Sequence, residues 1–163
     1  FLQEMELILP EFRLCDIASI IAAAVEQQRQ HAERNSVSIN LKISHDLPKI
    51  KVDASGLERA FSAILDNAIK FSPDGGDVFV SVDKSESTIL VTLRDNGIGI
   101  HNSDIPYIFD RFYHQEKIGN HLFRGIGLGL SIAREVITQH KGIIKVTSEA
   151  GKGSTFIITL PFS

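Results

Sequence analysis

Two alternating runs stand almost back to back in the middle of this chain. Val78, Val80 and Val82 form the first, Ile89, Val91 and Leu93 the second, and only the polar stretch Lys84–Thr88 separates them. Alternation with a period of two marks a strand buried on one face. A connection this short fits only an antiparallel hairpin, because a parallel neighbour needs a crossover of about a dozen residues. The chain therefore cannot be an all-parallel doubly wound sheet. Ile143–Ser148 and Thr155–Leu160 repeat the arrangement across Ala150–Gly153. Val37, Ile39, Leu41 and Ile43 alternate as well, Ile50 and Val52 suggest a short strand after Pro48, and another is expected before residue 14.

Three segments carry the helical period instead. Asp16 is placed to cap the first, whose stripe is Ile17, Ile20, Ile21, Ala24 and Val25 and which fades into the polar run Gln27–Asn35. Asp53–Ala54–Ser55 opens the second, with Leu57, Ala60, Phe61, Ile64, Leu65 and Ala68 on one side, and it stops near Ser72–Pro73. Leu128, Ile132, Ala133, Val136 and Ile137 mark the third. Three helices with six or seven strands in hairpins imply an α/β (α+β) two-layer sandwich, a mixed, mostly antiparallel sheet covered on one face by helices.

Composition narrows the function. At 163 residues, 43% hydrophobic and 23% charged, the chain fits one ordinary domain. A net charge of −3 argues against nucleic-acid binding, which draws on a basic surface. The lone Cys15 excludes an internal disulfide and reads as a small apolar side chain. No apolar run is long enough to span a bilayer, and the start has no signal-peptide pattern. Phe1 is not an initiator Met, so a piece of a longer protein is expected.

Four stretches carry chemistry. Asn67, Lys70 and Phe71 share one face of the second helix at the edge of its apolar stripe. They offer an oxygen suited to Mg²⁺, a charge for phosphate and a ring to stack on a base, or simply a solvated pair beside a core Phe. Asp95–Asn96–Gly97–Ile98–Gly99 follows a strand. Its carboxylate would accept from a purine amine and its glycines would let the backbone approach a flat base; equally, the run is good turn chemistry. Gly125–Ile126–Gly127–Leu128–Gly129 opens the third helix, where free N–H groups favour an anion. It matches neither the dinucleotide fingerprint nor the P-loop. Between them, Phe109 and Phe112 read as a small satellite core anchoring a long loop, with Arg111 in reach of a phosphate.

In this order the four stretches resemble the N, G1, F and G2 boxes of sensor histidine kinases, and the resemblance extends from about Glu11 to Phe162. It implies the Bergerat-type ATP-binding fold, with ATP and Mg²⁺ under a mobile lid at roughly 102–126. It implies a catalytic and ATP-binding domain over 11–163, with 1–10 left from an upstream dimerisation helix or linker. Carried over, Asn67 would coordinate Mg²⁺, Lys70 and Arg111 would contact phosphates, and Phe71 would lie beside adenine. Asp95 would bond the adenine amine, with Gly97, Gly99 and Ile100 shaping the base pocket. Gly125, Gly127, Leu128 and Gly129 would hold phosphates, and the Thr155 hydroxyl would support Asp95. The implied activity is phosphoryl transfer from ATP to a histidine, and the implied partners are the protein's own dimerisation/phosphoacceptor domain and the receiver domain of a response regulator, in the cytoplasm. Neither nucleic acid nor membrane is implied for this segment. An ATP hydrolase of the same fold and a non-catalytic interaction domain are the rival readings.

Two departures matter. The family usually has a further Asn where this chain has Ala63, and the hydrolases of the fold carry a water-activating Glu there. Ala63 has no base to offer, which points away from hydrolysis. Ser44–His45–Asp46–Leu47 imitates the phosphoacceptor box, but it ends a strand and precedes Pro48, whereas an acceptor His needs a helix face. The phosphoacceptor helix is thus expected upstream of Phe1. His31, His101, His114, His121 and His140 form no metal spacing and are expected mostly at the surface.

Overall fold

The computed structural model describes residues 9–110 and 126–162, with side chains from 129 onward in the second range. Arg111, Phe112 and Gly125, and the expectations placed on 1–8 and on the greater part of the lid, lie outside the described residues.

The chain runs β1 (Arg13–Cys15), α1 (Ile17–Arg34), β2 (Val37–Ile43), β3 (Ile50–Val52), α2 (Ala54–Lys70), β4 (Gly76–Lys84), β5 (Thr88–Asp95), a 3₁₀ turn (Ile105–Tyr107), α3 (Ile126–Gln139), β6 (Ile143–Glu149) and β7 (Gly153–Pro161). The main sheet has strand order β2-β4-β5-β7-β6 and is antiparallel except for the parallel β2–β4 pair. The three helices lie on one face with α2 in the middle: α1 packs on β2, α2 on β5 and α3 on β6. β1 and β3 pair separately as a two-stranded ribbon.

The sequence signals account for most of this. Asp16 caps α1, its carboxylate accepting from the Ala18 N–H at 3.0 Å. The apolar stripes of all three helices meet the inward residues Val78, Val80, Val82, Ile89, Val91, Leu93, Phe156, Ile158 and Leu160, all buried. Two expectations are corrected. α1 does not fade at the polar run but continues to Arg34, ending in the basic residues His31 and Arg34 that suit a helix C-terminus. Ile108 and Phe109 belong to the main core rather than a satellite, with the Phe109 ring edge-on to Phe156 at 6.2 Å.

His140 is not a surface residue. It is buried, its Nε2 accepts from the Asp53 N–H at 2.9 Å, and its Nδ1 donates to the Val136 carbonyl at 2.7 Å. It thereby ties the end of α3 to the start of α2. His45, in contrast, is exposed just beyond the end of β2, where no helix face can present it.

Candidate functional site

The site is assembled where the second half of α2, the loop after β5 and the start of α3 converge. Asp95 ends β5 in phase with Leu93 and Val91, so its carboxylate points into the layer between sheet and helices and is only 2% exposed. Burial pushes its pKa up from 3.8 to about 6, partly countered by N–H bonds from Gly97 and Ser154. The Gly97 N–H donates to Asp95 Oδ1 at 2.9 Å.

The loop 95–100 is fastened on both sides. The Ile98 N–H donates to the Phe71 carbonyl at 2.8 Å, one turn beyond Asn67, and the Gly151 N–H donates to the Ile98 carbonyl at 2.7 Å. These staples explain the glycines differently from the sequence reading. A Cβ on Gly97 would lie 1.9 Å from the Phe71 carbonyl oxygen, and one on Gly99, whose φ is +74°, would lie 2.2 Å from the Glu149 carbonyl oxygen. Both glycines are required by the protein's own backbone, with no ligand invoked.

Asn67 is buried at 2% exposure, and among the described residues its Nδ2 has no hydrogen-bond partner. A buried amide donor without a partner costs about 1–3 kcal/mol. Such an atom is a reason to look for a ligand. By a half-turn of its terminal torsion the amide presents oxygen instead of nitrogen, so it can face either a cation or a phosphate oxygen. One turn earlier on α2, Ala63 faces α3, with its Cβ 3.7 Å from where a Cβ on Gly129 would stand. Asn67 thus lies on the flank of α2 that looks toward α3. That helix is described from Ile126, so Gly127, Leu128 and Gly129 lie at the start of its described part.

Three expected residues sit elsewhere than their roles imply. Phe71 is completely buried in the core and has no face open for stacking. Ile100 is also a core side chain, with its N–H donated to Ser148 Oγ at 2.6 Å. Thr155 stands opposite Arg94 in the β5–β7 register, on the other face of the sheet from the Asp95 carboxylate; the residue paired with Asp95 is Ser154. Ser154 and Ser148, whose hydroxyls are 2.8 Å apart, were missed by the sequence reading. The signal was available: Phe156, Ile158 and Leu160 point inward, and Ser154 shares their parity while Thr155 does not. Lys70 is not a free ammonium but pairs with Asp66 at 2.9 Å.

The arrangement offers one buried acceptor, one buried unpartnered amide, a lysine and the described start of α3. Among the described residues no group of three or more His, Cys, Asp or Glu could hold a metal alone. A divalent cation here would find a single neutral oxygen, that of Asn67, and would need its other ligands from elsewhere. Among the described residues no helix is long and apolar enough to cross a membrane.

Comparison with known proteins bears on the family and the fold. Residues 52–163 match the family model described as "Histidine kinase-, DNA gyrase B-, and HSP90-like ATPase". The chain is 34% identical over 156 residues to the sensor-like histidine kinase SenX3 of Mycolicibacterium smegmatis, covering 94% of this chain and 40% of that protein. It is 38% identical over 115 residues to the sensor histidine kinase WalK of Bacillus subtilis, covering 69% of this chain and 19% of that one. The chain thus spans less than half the length of these curated relatives. Among solved structures, the mycobacterial sensor histidine kinase MprB superposes with a TM-score of 0.78 at 28% identity, over 92% of this chain and 97% of that one. Full-length ShkA in complex with AMPPNP gives 0.82 at 25% identity, over 96% of this chain and 32% of that one. The model match, these identities and the shared two-layer fold place the chain in the histidine kinase-, DNA gyrase B- and HSP90-like ATPase family, as a catalytic domain of the sensor histidine kinase type.

Proposed function

We propose that this domain binds ATP with Mg²⁺ and presents the γ-phosphoryl group to a histidine on a dimerisation/phosphoacceptor domain of the same protein, for onward transfer to a response-regulator receiver domain. The unpartnered buried amide of Asn67 carries the reading. The adenine amine donates to the Asp95 carboxylate, and Lys70 and the backbone N–H groups of Gly127, Leu128 and Gly129 offset phosphate charge. Asn67 would hold Mg²⁺ through its amide oxygen, and the bound ion would supply charge neutralisation at the phosphates. In the transfer the bond from the γ-phosphorus to the β-bridging oxygen breaks as a bond to an imidazole nitrogen forms, and ADP leaves. Such transfer needs chiefly positioning and charge neutralisation. It needs no base from this domain, consistent with Ala63.

Asn67→Ala tests it. The variant is expected to lose the Mg²⁺ enhancement of ATP binding while its thermal stability stays level or rises, because the orphan donor goes with the side chain. Titration of a fluorescent ATP analogue with and without Mg²⁺ measures this, and an undiminished Mg²⁺ effect refutes the role. Rapid steady phosphate release without an acceptor protein would instead favour a hydrolase.

Asp95 adds a pH dependence. Its ionised form is the stronger acceptor for the amine, so ATP affinity should be flat above pH 7 and fall below about pH 6. The limiting slope is about tenfold per pH unit for one proton. The Asp95→Asn variant supplies the baseline for titration of the nucleotide itself; a wild-type curve parallel to that baseline would exclude Asp95 as the acceptor.

A further inference from the structure

The seam between α1 and α2 holds a chain of polar contacts that the nucleotide reading does not use. Gln28 Nε2 donates to Ser62 Oγ at 2.8 Å, which turns the amide oxygen of Gln28 toward His31. That oxygen lies 3.2 Å from His31 Nδ1, and Asp66 Oδ1 lies 3.0 Å from the same nitrogen. Two acceptors meet one ring nitrogen, so Nδ1 carries the proton and donates to both. The other oxygen of Asp66 takes the Lys70 ammonium at 2.9 Å. Asp66, Lys70 and His31 are each about a third exposed, at 31%, 32% and 29%.

The geometry sets two flanks of α2 against each other. Ala63 and Asn67 look toward α3, while Asp66 is gripped from α1. Lys70 follows Asp66 by four residues and Asn67 by three, so its stem can swing to either flank. In the structure it lies with Asp66. Because His31 on α1 holds Asp66 without help from Lys70, the carboxylate keeps a partner on that flank when the lysine turns toward a phosphate.

We infer that Asp66, anchored by His31, is a built-in rival of the triphosphate for Lys70 and so sets the nucleotide affinity of the site; the inference rests on the reading of Lys70 as a phosphate contact. Asp66 touches no nucleotide in this scheme and acts through Lys70.

A double-mutant cycle decides it, with equilibrium binding of the non-hydrolysable analogue AMPPNP and Mg²⁺ to this chain as the readout. Asp66→Asn is expected to tighten binding roughly two- to fivefold, the scale of one partly exposed ion pair. Asp66→Glu should bind like the parent. In a Lys70→Met background the gain from Asp66→Asn should vanish. Asp66→Ala, which also removes the charge, should tighten binding to a similar extent, and it serves should Asp66→Asn fail to fold. Weaker or unchanged binding by Asp66→Asn overturns the inference, because Asp66 then orients Lys70 or ignores it. An equal gain with and without Lys70 also overturns it, because the carboxylate then acts directly on the ligand's charge. If Lys70→Met alone binds like the parent, the phosphate role of Lys70 fails, a result separate from the response to Asp66→Asn in the parent background.

Discussion

Asp95→Asn should make the nucleotide-free domain more stable and its ATP complex weaker. Burial raises the Asp95 pKa from 3.8 to about 6. Between those two values the folded chain keeps a proton that the unfolded chain has lost. The stability due to this group is therefore full below pH 3.8, falls as the pH rises through 6, and stays low at neutral pH. One pKa unit corresponds to about 1.4 kcal/mol, so the ionised carboxylate costs the fold about 3 kcal/mol at pH 7.5. Asparagine removes the charge and keeps an oxygen for the Gly97 N–H. The melting midpoint in the absence of nucleotide should rise, by up to about 10 °C in a chain this size. ATP affinity should drop roughly 10–100-fold, the worth of a hydrogen bond to a charged acceptor. Inosine triphosphate, with an oxo group in place of the 6-amine, should lose far less. Differential scanning calorimetry and ligand titration read the two effects separately. A variant that loses stability, or loses both nucleotides equally, would remove Asp95 from the role of a strained purine reader.

Gly97→Ala should be among the most damaging single substitutions outside the apolar core. Its new Cβ would fall 1.9 Å from the Phe71 carbonyl oxygen, so either the 95–100 loop or the end of α2 must move. Moving either one breaks the 2.8 Å bond from the Ile98 N–H. Overlap with backbone cannot be relieved by a rotamer change, and the buried groups left unpaired add their own cost. A loss of about 3 kcal/mol or more is expected, measured by urea denaturation. Gly129→Ala is the contrast. Among the described residues its Cβ would meet the Ala63 methyl at 3.7 Å, an ordinary contact. In a helix, alanine gains up to about 1 kcal/mol over glycine. The variant should therefore be as stable as the parent or more so. If it nevertheless binds ATP less well, close approach of a phosphate is the reason for glycine at that position. A mild Gly97→Ala would show that the loop is looser than its staples indicate.

Much of this was legible in the residues themselves. Period-two runs gave the strands, 3-4 stripes gave the helices, and Asp16 announced a cap that the structure contains. Those signals are local, because a strand or helix must put its apolar side chains on one face wherever it packs. The order of the four short motifs likewise identified the family without coordinates. The parity of β7 held more than was read from it, since Ser154 shares the phase of Phe156 and Thr155 does not.

Other features follow from distances across the fold, which no local pattern encodes. Gly97 and Gly99 look like glycines that make room for a base, yet their missing side chains make room for the carbonyls of Phe71 and Glu149, which come from α2 and from the end of β6. The Asp66–Lys70 spacing is visible in the sequence, but its anchor on His31 exists only because α1 lies beside α2. Phe71 reads equally as a stacking platform or a core ring until neighbouring elements enclose it. Periodicity settles which face of an element is buried. What meets that face depends on packing between segments far apart in the chain, and the desolvation of Asp95 and the isolation of the Asn67 amide arise only there.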